Sequence, residues 1–169
     1  MRRRELPGGI PPPTKGELKR QAQAVQDLAN RLVDAPAALV DGLDLPDKLA
    51  DAVALARRIK VRGALVRQKQ FVAKLMRGLD LDPVRAALDA HEDAARLDAA
   101  RFRRVERWRD RLENDGPEAL EVFAAENPGV DRATLAALAA AAAAERASGH
   151  GAGAGRKLFR YVQQLLEAR

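Results

Sequence analysis

Cysteine is absent from the 169-residue chain, which excludes disulfides and thiolate metal sites and suits a reducing cytosol. Histidine and serine are nearly absent: His91, His150 and Ser148 are all there is. His91 stands beside Glu92 and Asp93, but adjacent residues on a helix point in different directions. Neither histidine has a partner at an HExxH-like spacing, so no metal is expected. Ser148 has no base in view. The glycines of 149–155 follow no strand and lack the Lys-Ser/Thr pair of a phosphate loop. With these constellations gone, the expectation is a protein that is not an enzyme and has no cofactor and no small-molecule substrate.

Long apolar runs are missing too. The nearest, 135–147, is mostly alanine, which forms helices but is weakly hydrophobic. The first 13 residues carry arginines but no apolar signal-peptide segment. A soluble cytoplasmic protein is expected. No stretch alternates apolar and polar residues between turn signals, so the class is all-α, and no internal repeat is found.

What the chain has is positive charge, unevenly spread. The formal balance is +6 and the pI about 10.1, which favours anionic partners. Residues 57–77, RRIKVRGALVRQKQFVAKLMR, hold eight lysines and arginines and no acid. Residues 101–111 hold six arginines against Glu106 and Asp110. The rest of the chain is net negative, so the excess is local, as a binding surface requires.

Turn and cap signals divide the chain. Residues 1–13, with Gly8-Gly9 and three consecutive prolines, read as a disordered tail. Thr14 with Glu17 three residues on is a capping box that opens a helix with Leu18, Val25, Leu28 and Leu32 on one face. Pro36 or Gly42 ends it. Pro46 opens a helix expected to run to about Arg77, with two apolar stripes: Leu55, Ile59, Val66 and Val61, Leu65, Val72, Leu75. Asp82-Pro83 starts the next as N-cap and first residue, with Val84, Leu88 and His91. Leu97, Val105, Trp108 and Leu112 share a face further on. Asp115-Gly116-Pro117 stops that stretch and starts a short helix. Asn127-Pro128-Gly129 is a turn, and Asp131 caps an alanine-rich helix to about Ala147. A flexible Gly-rich linker, 148–155, precedes a last helix from Arg156 with Leu158, Tyr161, Val162 and Leu165 on one side. The expected parts are 14–95 and 96–169, with about five main helices.

Three basic segments are candidate sites, each with a plainer reading. In 57–77, Lys60, Arg67 and Lys74 recur every seven residues, and Arg58, Arg62 and Lys69 form a second row; Arg57 and Arg77 flank them. Exposed helices ordinarily mix signs and gain from i,i+4 pairs. Here each cation repels the next, which phosphates would relieve. A merely solvated face stands as the alternative. In 101–111, Arg101, Arg104 and Trp108 share a side able to stack on unpaired bases, but Trp108 reads first as a core anchor beside Val105 and Leu112. Glu106 and Asp110 are placed to pair with arginines three or four away. In 156–161, RKLFRY is either a basic helix that docks on a partner or the closing helix of the fold, and the second reading is preferred.

Taken in order, Lys15-x-Glu17-x-Lys19-Arg20, RRIK at 57–60, RQKQFVAKLMR at 67–77 followed by LDPVRAALD, ERWRDRL at 106–112, GPEAL at 116–120, NPGVDRATL at 127–135 and RKLFRYV at 156–162 resemble the DarP (YjgA) family of bacterial ribosome-associated proteins. The resemblance covers residues 14–166. It implies an assembly factor without catalytic activity that joins late precursors of the large ribosomal subunit and helps the peptidyl-transferase region mature. The partners it implies are that precursor, its rRNA and ribosomal proteins, with no membrane. It also implies an elongated all-helical shape, two three-helix parts sharing a long central helix, and the 46–77 helix fits that role. Carried over by motif, the RNA contacts are Arg67, Gln68, Lys74 and Arg77, then Arg107, Arg109 and Arg111, then Arg156, Lys157 and Arg160. Departures stand at Ala73, where relatives usually have glycine, at 133–147, where they carry more arginines, and at GAGAG, which replaces a proline-lysine stretch. The other basic segments would carry more of the affinity.

The rival readings are a protein–protein adaptor whose basic face meets an acidic partner, a membrane-surface helix and a hydrolase. Cations on two sides of 57–77 leave no clean apolar face for a membrane.

Overall fold

The computed structural model of the chain describes residues 12–149, 151 and 153–168. Most of the expected tail, residues 1–11, lies outside the described residues, as do His150, Ala152 and Arg169. The described residues are all helical in class, with no strand and eight helices rather than about five. They are α1 (Lys15–Asp34), α2 (Ala37–Asp41), α3 (Asp47–Arg58), α4 (Arg62–Met76), α5 (Asp82–Asn114), α6 (Pro117–Glu126), α7 (Arg132–Ser148) and α8 (Ala154–Glu167). Contacts divide the chain into two units, one through Glu92 and the other from Asp93.

Local signals fix most of the ends. Glu17 and Thr14 exchange their hydrogen bonds as a capping box at the start of α1. Pro36 forces Ala35 into extended backbone (φ −66°, ψ 155°), and α1 stops before it. Asp82 is already inside α5: the Asp80 carboxylate accepts its N–H at 3.0 Å, and the Leu81 carbonyl accepts from Arg85. Gly116 takes φ +56° ahead of Pro117, and the carbonyl of Asn127 accepts from Val130 across the turn before α7.

The helix expected from Pro46 to Arg77 is two helices. The chain is extended at Ile59 (ψ 117°) and Val61 (ψ 115°), and α3 and α4 pack on each other and on α1. No proline marks the break. An unbroken helix would add about three backbone hydrogen bonds, each worth roughly 0.5–1.5 kcal/mol net. The turn instead lets Leu49, Ala52, Val53 and Ala56 of α3 meet Val72, Ala73 and Met76 of α4, with Leu28, Ala29 and Leu32 of α1. Each large apolar side chain so buried contributes about 1.5–3 kcal/mol, so burial outweighs continuity. The expected stripe of Leu55, Ile59 and Val66 does not form: Leu55 and Val66 are exposed, as is Val61. Val84 and Leu88, from the first turns of α5, complete this core. Arg31 ties α1 to the same turns through Asp89 (2.6 Å) and Glu92 (2.7 Å).

The long helix of the chain is α5, 33 residues. His91 and Leu97, expected on apolar faces, are exposed, and no side chain from Asp93 to Arg104 is buried. Beyond that, Val105, Trp108 and Leu112 join Ala119 and Phe123 of α6, Leu135, Ala139 and Ala142 of α7, and Leu158 and Val162 of α8. Trp108 packs edge-on against Phe123, centroids 5.0 Å apart, so it is a core anchor. The alanines of α7 give a slim face against which α8 packs, and α8 closes this core. The linker is shorter than expected: Ser148 ends α7, and Ala154 and Gly155 already belong to α8. The Glu145 side chain accepts from the N–H groups of Gly153 (3.1 Å) and Ala154 and so serves the first turn of α8.

Candidate nucleic-acid interface

The eight cations of 57–77 take two roles. Arg57 points back at the end of α1, donating from Nη2 to the Ala35 carbonyl (2.6 Å) and from Nε to that of Val33 (3.1 Å). It thus satisfies carbonyls that a helix end leaves open and sits at the negative end of the helix dipole. Lys69 faces inward on α4, 16% exposed, and pairs with Asp34 at 2.7 Å. Arg58, Lys60, Arg62, Arg67, Lys74 and Arg77 are exposed, and their side chains have no ion pair or hydrogen bond among the described residues.

The break changes the expected rows. Arg58 ends α3, Lys60 lies in the turn and Lys69 faces the core side, so neither row of three exists. What remains is the outer arc of α4: Gly63, Val66, Arg67, Gln70, Phe71 and Lys74 are all exposed and follow one another at helical spacing. Arg77 continues it past the helix end. Phe71, 47% exposed, falls four residues after Arg67 and three before Lys74. Sequence reasoning missed Phe71, although its spacing from the two cations was available. Cations around an exposed ring suit phosphates with an unstacked base between them. The first turn of α4 carries Arg62 and no acid. A cation there opposes the helix dipole, so its placement does not serve the helix.

In the second unit, half of the arginines of 101–111 are engaged locally. Arg101 pairs with Asp98 (3.3 Å). Arg109 meets Asp110 (2.7 Å) and Glu113 (3.8 Å), and the Asp110 hydrogen bond leads the carboxylates that hold its proton more firmly than usual. Arg111 reaches Asp115 (3.8 Å) and lies over Trp108, 4.6 Å from the ring centre. Asp110, Glu113 and Asp115 do this pairing; Glu106 makes no such ion pair among the described residues. Arg103, Arg104 and Arg107 stay exposed and unpaired. So do Arg156, Lys157 and Arg160 on α8, two of them in a first turn that holds no acid. Among the described residues no group of His, Asp and Glu is arranged to hold a metal ion, and no helix is long and apolar enough to cross a membrane.

Residues 11–163 match the family described as "Dual-action ribosomal maturation protein DarP". The chain belongs to the DarP family. It is 39% identical to the protein of that name from Thiobacillus denitrificans over 92% of this chain and 88% of the relative. It is 38% identical to that from Methylobacillus flagellatus (95% and 88%) and 38% to that from Nitrosomonas eutropha (91% and 87%).

The structure sorts the DarP motif residues. Arg67, Lys74 and Arg77 stand outside, whereas Gln68 is half-buried and donates to the Ala52 carbonyl of α3 at 3.0 Å. Ala73, the residue before Lys74, lies in the α1–α3–α4 core. In the second motif Arg107 is free while Arg109 and Arg111 are engaged. The third, Arg156, Lys157 and Arg160, is free throughout.

Proposed function

We propose that this DarP-family chain is a non-enzymatic ribosome biogenesis factor that acts in the cytoplasm. It binds rRNA of late large-subunit (50S) precursors and promotes maturation of the peptidyl-transferase region. The observation that carries the reading is the outer face of α4 with its flanks: six unpaired cations, no acid and an exposed phenylalanine. Paired charges would already be neutralised; these are left for a polyanion. The family's description as ribosomal maturation proteins makes rRNA the polyanion that fits. In this mechanism α4 docks on phosphates of rRNA that is still rearranging. The factor favours the productive arrangement only by its differential affinity for it, and leaves when the mature surface fits less well.

Gradient sedimentation of a lysate containing the tagged chain tests this. Co-migration with large-subunit particles at low salt, lost as salt rises, is expected. A protein that stays at the top of the gradient, even when precursors accumulate, would remove the proposal. A complex that survives RNase digestion would point instead to an acidic protein partner.

A further inference from the structure

The second unit has a feature that phosphate binding leaves unused. Between α5 and α8 lies a groove of about 480 Å³ whose lining includes Phe102, Phe159, Arg101, Arg104, Gln163 and Glu167. That volume is within the range of roughly 300–1,000 Å³ usual for small-ligand pockets. The two rings meet at 5.3 Å and 51°, and Phe102 remains 53% exposed. Phe159 is half-buried and fixes one side of the groove while the Phe102 ring is offered to solvent. Arg104 is exposed and unpaired, and Arg101 is held by Asp98. At the polar end the Gln163 amide donates to one oxygen of Glu167 at 2.7 Å. The Gln163 carbonyl and the second Glu167 oxygen are left as acceptors on residues that line the groove beside the two rings.

We infer that this groove is a subsite for one unpaired RNA base, stacked on Phe102, with Arg104 on the adjoining phosphate. The inference rests on the rRNA-binding reading and adds to it a residue-level site on the second unit. Every base has a face to stack, and an arginine neutralises the phosphate that comes with it. Acceptors at the polar end favour a base with an exocyclic amine, so adenine is preferred to uracil, which has none.

The test is binding of the full chain to fluorescein-labelled single-stranded A8 and U8 oligoribonucleotides, read by anisotropy. Wild type should prefer A8. Phe102→Ala should weaken A8 binding by roughly 5- to 150-fold, the worth of one stacked base, with the salt slope unchanged. Phe102→Trp should restore binding. Trp108 emission and helical circular dichroism should show the variants folded. Wild-type affinity for A8 in folded Phe102→Ala would overturn the subsite alone, because RNA binding would persist through α4. No binding of wild type to either oligonucleotide or to precursor rRNA would overturn both the subsite and the rRNA-binding reading.

Discussion

The two basic runs, 57–77 and 101–111, look alike as counts of arginine and lysine and differ in what they leave available. Along α4 and its flanks, six of eight cations are unpaired, and no acid lies among residues 57–77 to engage them. On the second half of α5, Asp98, Asp110, Glu113 and Asp115 engage half of the arginines, leaving Arg103, Arg104 and Arg107. Cation number therefore measures potential attraction, and the interleaved carboxylates decide how much of it reaches a ligand. The surface pairs add little stability, about 0–1 kcal/mol each, so their main effect is on charge presented outward.

The contrast can be broken most strongly by the triple change Arg67→Ala, Lys74→Ala and Arg77→Ala. It should reduce the log–log salt slope of RNA association by about 2 to 3, at 0.7–0.9 per phosphate contact. Arg109→Ala with Arg111→Ala, which removes two cations, should leave the slope nearly unchanged; an equal loss per cation removed would show that pairing does not matter. Next in size, Arg57→Ala should destabilise the first unit by about 1–3 kcal/mol through the unsatisfied α1 carbonyls, without altering the salt slope. Chemical denaturation beside a salt titration separates the two effects, and a normal midpoint would reject Arg57 as a helix cap. Phe71→Ala should weaken binding to single-stranded RNA by about 1–3 kcal/mol, again at constant slope. A lowered slope there would mean that the ring acts by placing cations rather than by stacking.

The smallest effect concerns Asp131, whose carboxylate accepts from the Thr134 hydroxyl (2.6 Å) and from the Thr134 and Ala133 N–H groups at the start of α7. These bonds, led by the Thr134 hydroxyl, hold its pKa below the usual aspartate value. A depressed folded-state pKa contributes stability above the ordinary value, lost as pH falls through the lowered one. The first turn of α7 should loosen on such acidification, seen in the Thr134 amide resonance. Asp131→Asn should keep the cap and abolish the pH dependence.

Features set by neighbours in sequence were legible in it. The Thr14–Glu17 box, the Gly116-Pro117 start and the Asp131 cap each need only three or four residues, and the structure has all three. The all-α class followed from the same local patterns. The break at 59–61 was not legible, because the cost of ending a helix there is offset by contacts with α1 that no local window contains. The internal partners of Arg57 and Lys69 were not legible for the same reason: they lie 22 to 35 residues away. Arg67, Lys74 and Arg77 needed no distant partner, and their exposure agrees with the periodicity. Phe71 and Phe102 were overlooked because attention to cations passed over the rings between them.

One consequence concerns the stretch of α5 from Asp93 to Arg104, where nothing is buried. Helices of this length are marginal in water by themselves, so these turns persist through continuity with the packed turns on either side. Their amides should therefore exchange with deuterium faster than those near Leu88 or Leu112, reversing the usual pattern in which a helix frays from its ends. Transient opening there would present Arg96 and Arg101 to trypsin before Arg85 or Arg111, which lie beside the packed turns of the same helix.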